Sequence, residues 1–294
     1  MPKKGSYTQR DQNPDRTLKA MYIVEDDSVE LLVSTFQDGN MDPRFSEDAL
    51  SNFQTFLEKH GFFPEDSFSP AIGLNYGIIA IDESNEAKYA GRFVKNGTPQ
   101  DEYRCDAVIV CGSSIPVALR VGDCPVVLIV GDIPGDKKIV SLIHAGRLEL
   151  SAEVLKSTIA RMVSDYKMHL RSATAFVFPH ICKHCYALQY VDQDTKEKAD
   201  DFLEFSNGHF HLNLLGWLTN QLEEAGIQRV STAFFRCTAG ISPVCTSRLL
   251  HDMKKFNGLF SHYKSFHRKV PEGRFVIVAR IIDKDCEEDL FQKN

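Results

Sequence analysis

The sequence predicts an α/β fold in which helices flank a mixed central sheet. Three observations support this class. Short apolar runs rich in β-branched residues indicate strands, and longer segments with apolar residues at helical spacing indicate helices. The two kinds of segment interleave, but several strands are consecutive, which favours a mixed sheet over a purely parallel one. Because the 294 residues contain no internal repeat and no Pro/Gly-rich linker, we expect a single domain over 17–294 after a flexible polar lead-in over 1–16.

Ten short segments predict strands. The first two surround an acidic turn at 25–27, and the polar stretch 83–102 is typical of a hairpin or loop. The runs 126–130 and 139–143 are joined by a Gly/Pro/Asp turn at 131–135, which predicts a buried hairpin or neighbouring strands. The predicted strands are 21–24, 31–35, 78–81, 107–110, 117–121, 126–130, 139–143, 173–178, 230–235 and 275–282.

Three segments predict helices. The first should begin near Ser46, a good N-cap residue followed by acidic residues, and should end at Gly61. Its predicted apolar face comprises Leu50, Phe53 and Leu57. The second helix covers about 155–166, and the third covers about 214–225 and stops at Gly226.

Composition narrows the functional classes. The 43% apolar and 25% charged content is typical of a soluble globular protein. A net charge of −6 argues against nucleic acid and against an anionic membrane surface as partners. The sequence has no apolar run of membrane-spanning length and no apolar stretch behind its basic N-terminus, so we expect a cytoplasmic protein. Its eight scattered cysteines are then expected to be thiols.

The most informative pair of residues is Cys124 and His144. Cys124 stands between two apolar runs in Asp123-Cys124-Pro125, and His144 ends the next run, twenty residues later. The predicted hairpin can bring the thiol and the imidazole to one place. They could then be half of a metal site, or a nucleophile and its base. The simpler alternative is a buried thiol and a hydrogen-bonded histidine with structural roles only.

Three other segments combine residues that can carry chemistry. Cys182-x-x-Cys185 is one zinc half-site, but Cys237 and Cys245, eight residues apart, form a poor second one. A loop of packed thiols is therefore favoured over a structural zinc. His209 to Leu214 precedes a helix, which favours a capping or hydrogen-bonding role for His211 or Asn213. The last segment, 259–264, is an aromatic and polar loop before the final strand.

Taken together and in order, these segments resemble the bacterial YfiH/laccase-domain proteins, also described as the polyphenol-oxidase-like purine nucleoside phosphorylase family. No element is specific alone, but seven occur in the family's order over about residues 20–282. The matching elements are Asp123-Cys124-Pro125, His144-Ala145-Gly146, Pro179-x-Ile181 with Cys185-Tyr186, His211-Leu212-Asn213-Leu214, Cys237-Thr238, Phe260-Ser261-His262 and Gly273-Arg274.

The resemblance implies a YfiH-like α/β domain that holds a divalent metal, usually zinc, on one cysteine and two histidines. It implies phosphorolysis of purine nucleosides and deamination of adenosine, with a nucleoside and phosphate as the small-molecule partners. By carry-over, Cys124 and His144 are both the catalytic residues and two of the metal ligands. The positions expected to contact substrate are Tyr76, Asp123, Arg147, His211, Phe260 and His262.

The sequence also departs from the family pattern. The histidine of the family's Gln-Val-His-Gly element, its first metal ligand, is Tyr76 here, and a phenol is a poorer zinc ligand at neutral pH. The arginine of its Ser-Thr-Arg element is Phe36, and the tryptophan of His-Ala-Gly-Trp is Arg147. Three functions therefore remain open: a purine nucleoside enzyme with an altered metal site, a metal-free Cys124–His144 hydrolase or deamidase, and a non-catalytic binding protein. A copper oxidase fits less well, because the sequence shows no multi-histidine copper cluster.

Overall fold

The computed structural model describes residues 21–23, 28–73, 76–94, 101–232, 237–239 and 272–282. The strands within these ranges are β1 Met21–Ile23, β2 Val29–Val33, β3 Phe68–Ser69, β4 Ile78–Ile81, β5 Arg92–Phe93, β6 Ala107–Cys111, β7 Val117–Val121, β8 Val126–Ile133, β9 Lys137–His144, β10 Thr174–Val177, β11 Ala187–Leu188, β12 Leu203–Ser206, β13 His209–Leu212, β14 Arg229–Ser231 and β15 Phe275–Ile281. The α-helices are α1 Ala49–Lys59, α2 Glu86–Tyr89, α3 Arg147–Ser151, α4 Val154–Tyr166, α5 Gln193–Lys198 and α6 Leu214–Glu224.

In the described part of the chain these strands form two six-stranded sheets and a smaller three-stranded one. The first sheet has the order β1-β2-β15-β7-β3-β5, and the second has the order β14-β10-β8-β9-β6-β4. Both contain parallel and antiparallel neighbours. The predicted α/β class with mixed sheets is confirmed. The number of large sheets differs from the prediction: the strands form two large sheets, whereas a single central sheet was expected.

The two large sheets pack face to face, with helices on their outer surfaces. One apolar core lies between the sheets and includes side chains of β7, β8 and β15. A second core lies between the other face of the second sheet and helices α3, α4 and α6. On the outer face of the first sheet, α1 packs through Phe53, Phe56 and Leu57. Both sheets are thus covered on both faces, which explains why strands such as β7 and β8 are almost uniformly apolar.

The local predictions can be compared with these elements. The predicted hairpin is confirmed: β8 and β9 pair in antiparallel fashion, with Val126 opposite His144, and both strands extend further into the turn than expected. Helix α1 begins at Ala49, later than predicted, and Leu50 is 43% exposed, so its place on the apolar face was wrong. Phe56 takes that place, at i+3 from Phe53.

Some of the predicted segments lie partly or wholly outside the residues that the structure describes. The stretch 83–102, expected to be a hairpin or loop, contains the short elements α2 and β5 in its described part. Residues 1–16 lie outside the described residues, so the lead-in and the single domain over 17–294 stay predictions. None of the helices within the described ranges combines the length and the apolar character that a membrane crossing requires.

Candidate functional site

Cys124 lies where the chain passes from one large sheet to the other. Strand β7 of the first sheet ends at Val121, and strand β8 of the second begins at Val126. His144 is the last residue of β9 and lies opposite Val126 in the β8–β9 register. The amide of Ala145 donates to the carbonyl of Pro125 at 2.8 Å, which fixes the end of the hairpin. The Cys124 side chain and the His144 ring consequently lie close enough to interact electrostatically.

Asp106 orients the imidazole from the neighbouring strand. It directly precedes β6, which pairs with β9, and its carbonyl accepts a 2.7 Å hydrogen bond from the His144 amide. Its fully buried carboxylate lies 3.1 Å from His144 Nδ1. A carboxylate can only accept, so Nδ1 carries the proton and Nε2 is left for Cys124. The amides of Gly73 and Tyr76 donate to the same carboxylate at 2.9 and 3.0 Å and hold it in place.

Glu149, in the first turn of α3, is a second buried acid beside the ring. One of its oxygens lies 3.6 Å from His144 Nδ1. Gly146 permits this approach, because a Cβ there would lie 2.5 Å from Glu149 Oε2 and 2.9 Å from Cys124 Sγ. The ligand atoms of Asp106, His144 and Glu149 lie within 4.8 Å of one another, a nitrogen and oxygen set that could also hold a divalent cation.

These neighbours determine the charge of His144. Burial alone would lower its pKa, but the negative charges of Cys124 and Glu149 and the hydrogen bond to Asp106 raise the pKa well above its ordinary value of 6.5. The site therefore favours an imidazolium that is held between a sulfur and two carboxylates. Such a group can donate a proton to a substrate, or it can stabilise negative charge on the sulfur.

A cavity of about 270 Å³ opens beside Cys124 and His144. Its wall combines small apolar groups with an unusual number of cations. The arginines in the wall are Arg44, Arg120, Arg147 and Arg274, and the carboxylate in the wall is Asp123. Among the residues that the structure describes, four guanidinium groups against one carboxylate make the cavity suited to an anionic ligand.

Arg120 is the most deeply buried of these arginines. It comes from β7, is 2% exposed, and its guanidinium lies 4.3 Å from the centre of the Phe93 ring. Its Nη2 donates to the carbonyls of Pro70 and Val94. Within the described residues, Nε and Nη1 have no hydrogen-bond partner. Burial lowers the pKa of Arg120 to about 10, although Asp42 opposes this effect. Arg120 thus adds a buried positive charge to the cavity wall.

The other arginines are held by carboxylates behind the wall. Buried Asp42 accepts three side-chain hydrogen bonds from Arg44 and lies 3.9 Å from Arg274. Although burial opposes it, these two arginines lower the pKa of Asp42 below its ordinary value. Arg147 is bound by Asp192. These acids fix the positions of the guanidiniums and neutralise part of their charge.

The structure brings some of the predicted site residues to the cavity and leaves others away from it. Asp123 and Arg147 contribute to the wall, with Asp123 accepting a 2.5 Å hydrogen bond from the Thr238 hydroxyl. Tyr76 approaches Asp106 through its backbone, whereas its side chain is 41% exposed. His211 lies in β13 with its ring 3.4 Å from the carbonyl of Lys183, and it is not part of the wall. Two further predicted residues, Phe260 and His262, lie outside the described residues.

Three functional groups were not identified from the sequence: Asp106, Glu149 and Arg120. Asp106 could have been found, because an acid directly before an apolar strand run can meet the end of an antiparallel neighbour. Arg120 carried a signal as well, since it interrupts the apolar run 117–121. A cation inside such a run is costly unless it serves a purpose.

The cavity supplies two of the three zinc ligands that the family resemblance implies. Cys124 and His144 are in contact, and a carboxylate behind Nδ1 is a usual partner of zinc-bound histidine. The third position is Tyr76. Burial and the charges of Glu149 and Asp106 raise the pKa of its phenol above the ordinary value, and a protonated phenol is a poor ligand. The described residues therefore do not complete a Cys/His/His zinc site.

Comparison with known proteins agrees with this architecture. No curated protein sequence is significantly similar to the chain. The YfiH hypothetical protein of Bacillus licheniformis is 16% identical with a TM-score of 0.65, over 89% of this chain and 96% of that one. YlmD of Geobacillus stearothermophilus is 17% identical with a TM-score of 0.66, over 94% and 99%. Protein NMB0706 of Neisseria meningitidis is 18% identical with a TM-score of 0.60, over 87% and 95%.

These similarities show a shared fold. A family model described as multi-copper polyphenol oxidoreductase laccase matches residues 78–281, which is more than half of the chain. That range includes Asp106, Cys124 and His144. The chain therefore belongs to this laccase-like family, which is the YfiH-like family that its sequence motifs resemble.

Proposed function

We propose that the protein cleaves the ribosidic bond of purine nucleosides, with phosphate as the second substrate. The nucleoside as substrate class comes from the family resemblance of the sequence. The observation that supports phosphate as the second substrate is the arginine-rich wall of the cavity next to the Cys124–His144 pair. A protein that only bound an uncharged nucleoside would have no need of buried cations at this position.

In this proposal the charge of Arg120 attracts the phosphate. Its guanidinium is buried at the cavity wall and has no carboxylate in direct contact among the described residues. Such a charge acts strongly on an anion, because little solvent screens it. Arg274, fixed by Asp42 and 16% exposed through its side chain, is placed to neutralise further negative charge.

The Cys124–His144 pair supplies the proton that the reaction needs. A phosphate oxygen attacks C1′ of the ribose, the bond between C1′ and N9 breaks, and the bonding electrons leave with the purine. Protonation of the purine at N7 makes it a better leaving group. The imidazolium of His144 donates that proton and recovers one from solvent. Asp106 and Glu149 hold the ring in its charged form and orient it, which is the role of a general acid with positioning carboxylates.

Two other activities fit the described residues less well. Adenosine deamination requires an activated water, and the described residues supply only two ligands of a Cys/His/His zinc site. A laccase reaction requires copper sites rich in histidine. Each metal-ligand group found in the described part of the chain contains at most one histidine.

Purified protein incubated with inosine, guanosine or adenosine tests the proposal. We expect release of free base together with ribose 1-phosphate, only when phosphate is present, and its loss in Cys124→Ala. Cys111→Ser serves as the matched control, because Cys111 lies in β6 away from the cavity wall. Base release that does not depend on phosphate, or a fully active Cys124→Ala protein, would contradict the proposal.

A metal-free hydrolase is the second candidate, and one observation favours it. The site has the spatial arrangement of a catalytic triad, in which Cys124 would be the nucleophile, His144 its base and Asp106 the carboxylate that orients the base. In this reaction the Cys124 thiolate would attack an acyl or amide carbon, and the bond to the amine or alcohol would break as His144 protonates that leaving group. Water would then hydrolyse the thioester, release the acid and regenerate the thiol. Stoichiometric trapping of Cys124 by an acyl substrate analogue, together with no nucleoside turnover, would favour this candidate. A protein with neither activity would be the non-catalytic binding member.

A further inference from the structure

Three cysteines that are distant in sequence come together beside the cavity. Cys182 and Cys185 lie in one loop, and Cys237 belongs to a segment that runs beside it through a bridge between His180 and Cys237. The three sulfur atoms all lie within 4.8 Å of one another. Cys185 is buried, and the other two are half-buried. The half-site that the sequence contains has therefore acquired a third thiol from another part of the chain.

The geometry of the loop suits a metal. Sulfur atoms bound to one tetrahedral zinc at about 2.3 Å lie ~3.8 Å apart, which the observed spacing allows. The amides of Cys185 and Tyr186 both donate to the Cys182 carbonyl at 3.0 Å and close a tight turn between the two sulfurs. In addition, the Cys182 amide lies 3.4 Å from the Cys237 sulfur and donates to it. A hydrogen bond of this kind stabilises the negative charge of a thiolate.

The composition of the cluster limits which metal it can hold. All its ligand atoms are sulfur, and within the described residues no histidine or carboxylate shares the same 4.8 Å sphere. Soft thiolates select zinc and copper(I) over magnesium, calcium or manganese. Three ligands would leave one position of a tetrahedron to a water or another donor.

We propose that Cys182, Cys185 and Cys237 form a second metal site, separate from Cys124 and His144, which binds zinc and joins two loops behind the cavity. Both loops donate hydrogen bonds to the same residue, Asp123. The Ile181 amide donates to the Asp123 carbonyl at 2.9 Å, and the Thr238 hydroxyl donates to its carboxylate at 2.5 Å. The metal would thus fix the position of the residue next to Cys124. Its role is structural, and it does not depend on which reaction the cavity carries out.

Metal titration of the full chain tests the site without any measurement of turnover. The protein is stripped of metal under reducing conditions and titrated with Co²⁺, then with Zn²⁺. The Cys124→Ala background removes the thiol of the cavity. In that background we expect one equivalent of Co²⁺ to bind, with a sulfur-to-cobalt charge-transfer band of three-thiolate intensity, and one equivalent of Zn²⁺ to displace it.

Adding Cys185→Ser should abolish that equivalent, whereas adding Cys111→Ser should not. Should the Cys185→Ser protein fail to fold, the Co²⁺ spectrum of the Cys124→Ala protein decides, because a single-thiolate band or no band overturns the proposal. Full binding in the Cys185→Ser protein overturns it equally. Either failure leaves the nucleoside assay of the cavity unaffected, so the two proposals fail independently.

Discussion

Two regions of this molecule that meet at Asp123 contain cysteine, and their surroundings give the sulfur different chemistry. Cys124 lies beside an imidazolium, two buried carboxylates and a wall of arginines. Cys185 lies beside two other sulfurs and backbone amides. The first environment suits proton transfer and anionic ligands, and the second environment suits a soft metal. Neighbouring charges, and not the thiol itself, decide the role.

The regions also differ in how they are built. The Cys124 site is formed at the ends of strands in a large sheet, where β6, β8 and β9 impose the register. The thiol cluster is formed by loops, with one bridge and a few amide hydrogen bonds between them. We therefore expect substitutions at the first site to affect activity far more than stability. At the second site the reverse should hold.

The largest expected effect is that of Cys124→Ala on activity. The charge of Cys124 helps to keep His144, the proposed general acid, protonated. Acid–base groups that act in the transition state contribute roughly 10²–10⁴-fold, so we expect kcat/KM for phosphate-dependent base release to fall by about 1,000-fold. The melting temperature should change little, because Cys124 is only half-buried. Cys185→Ser should show the opposite pattern, with a lower melting temperature and a smaller loss of activity. Similar losses of both properties in the two variants would remove the distinction between the regions.

Asp106→Asn tests how the carboxylate supports His144. The amide can no longer stabilise the imidazolium, and its NH₂ group faces the donors of Gly73 or Tyr76. We expect kcat to fall about 100-fold, with a loss of about 1–3 kcal/mol in the free energy of unfolding. Steady-state kinetics and urea unfolding measure the two effects. Glu149→Gln, at the longer distance of 3.6 Å, is the comparison and should have the weaker effect on kcat. An unchanged kcat in Asp106→Asn would exclude this role of the acid.

Arg120→Met separates binding from folding. Removing the guanidinium should raise KM for phosphate about 10-fold or more, because a positive charge at the cavity wall is lost. The melting temperature should change little, because the loss of the two hydrogen bonds from Nη2 opposes the gain from no longer burying a cation. Arg161→Met is the control, because Arg161 lies in α4 outside the cavity wall and its side chain is 39% exposed. A marked loss of stability with an unchanged KM would make Arg120 a structural residue only.

Local patterns predicted much of this fold and part of the candidate site. The β8–β9 hairpin follows from two apolar runs and one turn, and the closeness of Cys124 and His144 follows from its register. Between β7 and β8 the chain passes from one sheet to the other at 122–125, and no local sequence pattern marks this change. The second sheet was therefore not predicted. Asp106 and Arg120 join the site through strands that are distant along the chain, and such pairings cannot be derived from periodicity.

The same limit explains the thiol cluster. A Cys-x-x-Cys turn is visible in the sequence, but its third sulfur arrives through the bridge between His180 and Cys237, which no spacing rule predicts. The expectation of a poor second half-site considered Cys237 and Cys245 as a pair. In the structure Cys237 approaches Cys182 and Cys185, and Cys245 lies outside the described residues. The Co²⁺ titration distinguishes a loop that only packs thiols from one that binds a metal.

The smallest predicted effect concerns the contact that joins the two regions. Thr238→Val keeps the shape of the side chain but removes the hydroxyl that donates to Asp123. Hydrogen bonds to charged groups contribute about 1.5–3 kcal/mol, so we expect a modest loss of stability and a few-fold loss of activity. Thr219→Val, whose hydroxyl donates to backbone carbonyls of α6, is the matched control and should leave activity unchanged.

A double-mutant cycle then measures whether the thiol cluster acts through this contact. If zinc at the cluster positions Thr238, the contact is already weakened in Cys185→Ser, and Thr238→Val should cost less activity there than in the wild-type protein. Residues that share one network typically show interaction energies of about 0.5–3 kcal/mol, which is measurable from kcat/KM. Strict additivity of the two substitutions in zinc-loaded protein would show that the regions are neighbours without being coupled. The metal would then stabilise the loops without acting on the cavity.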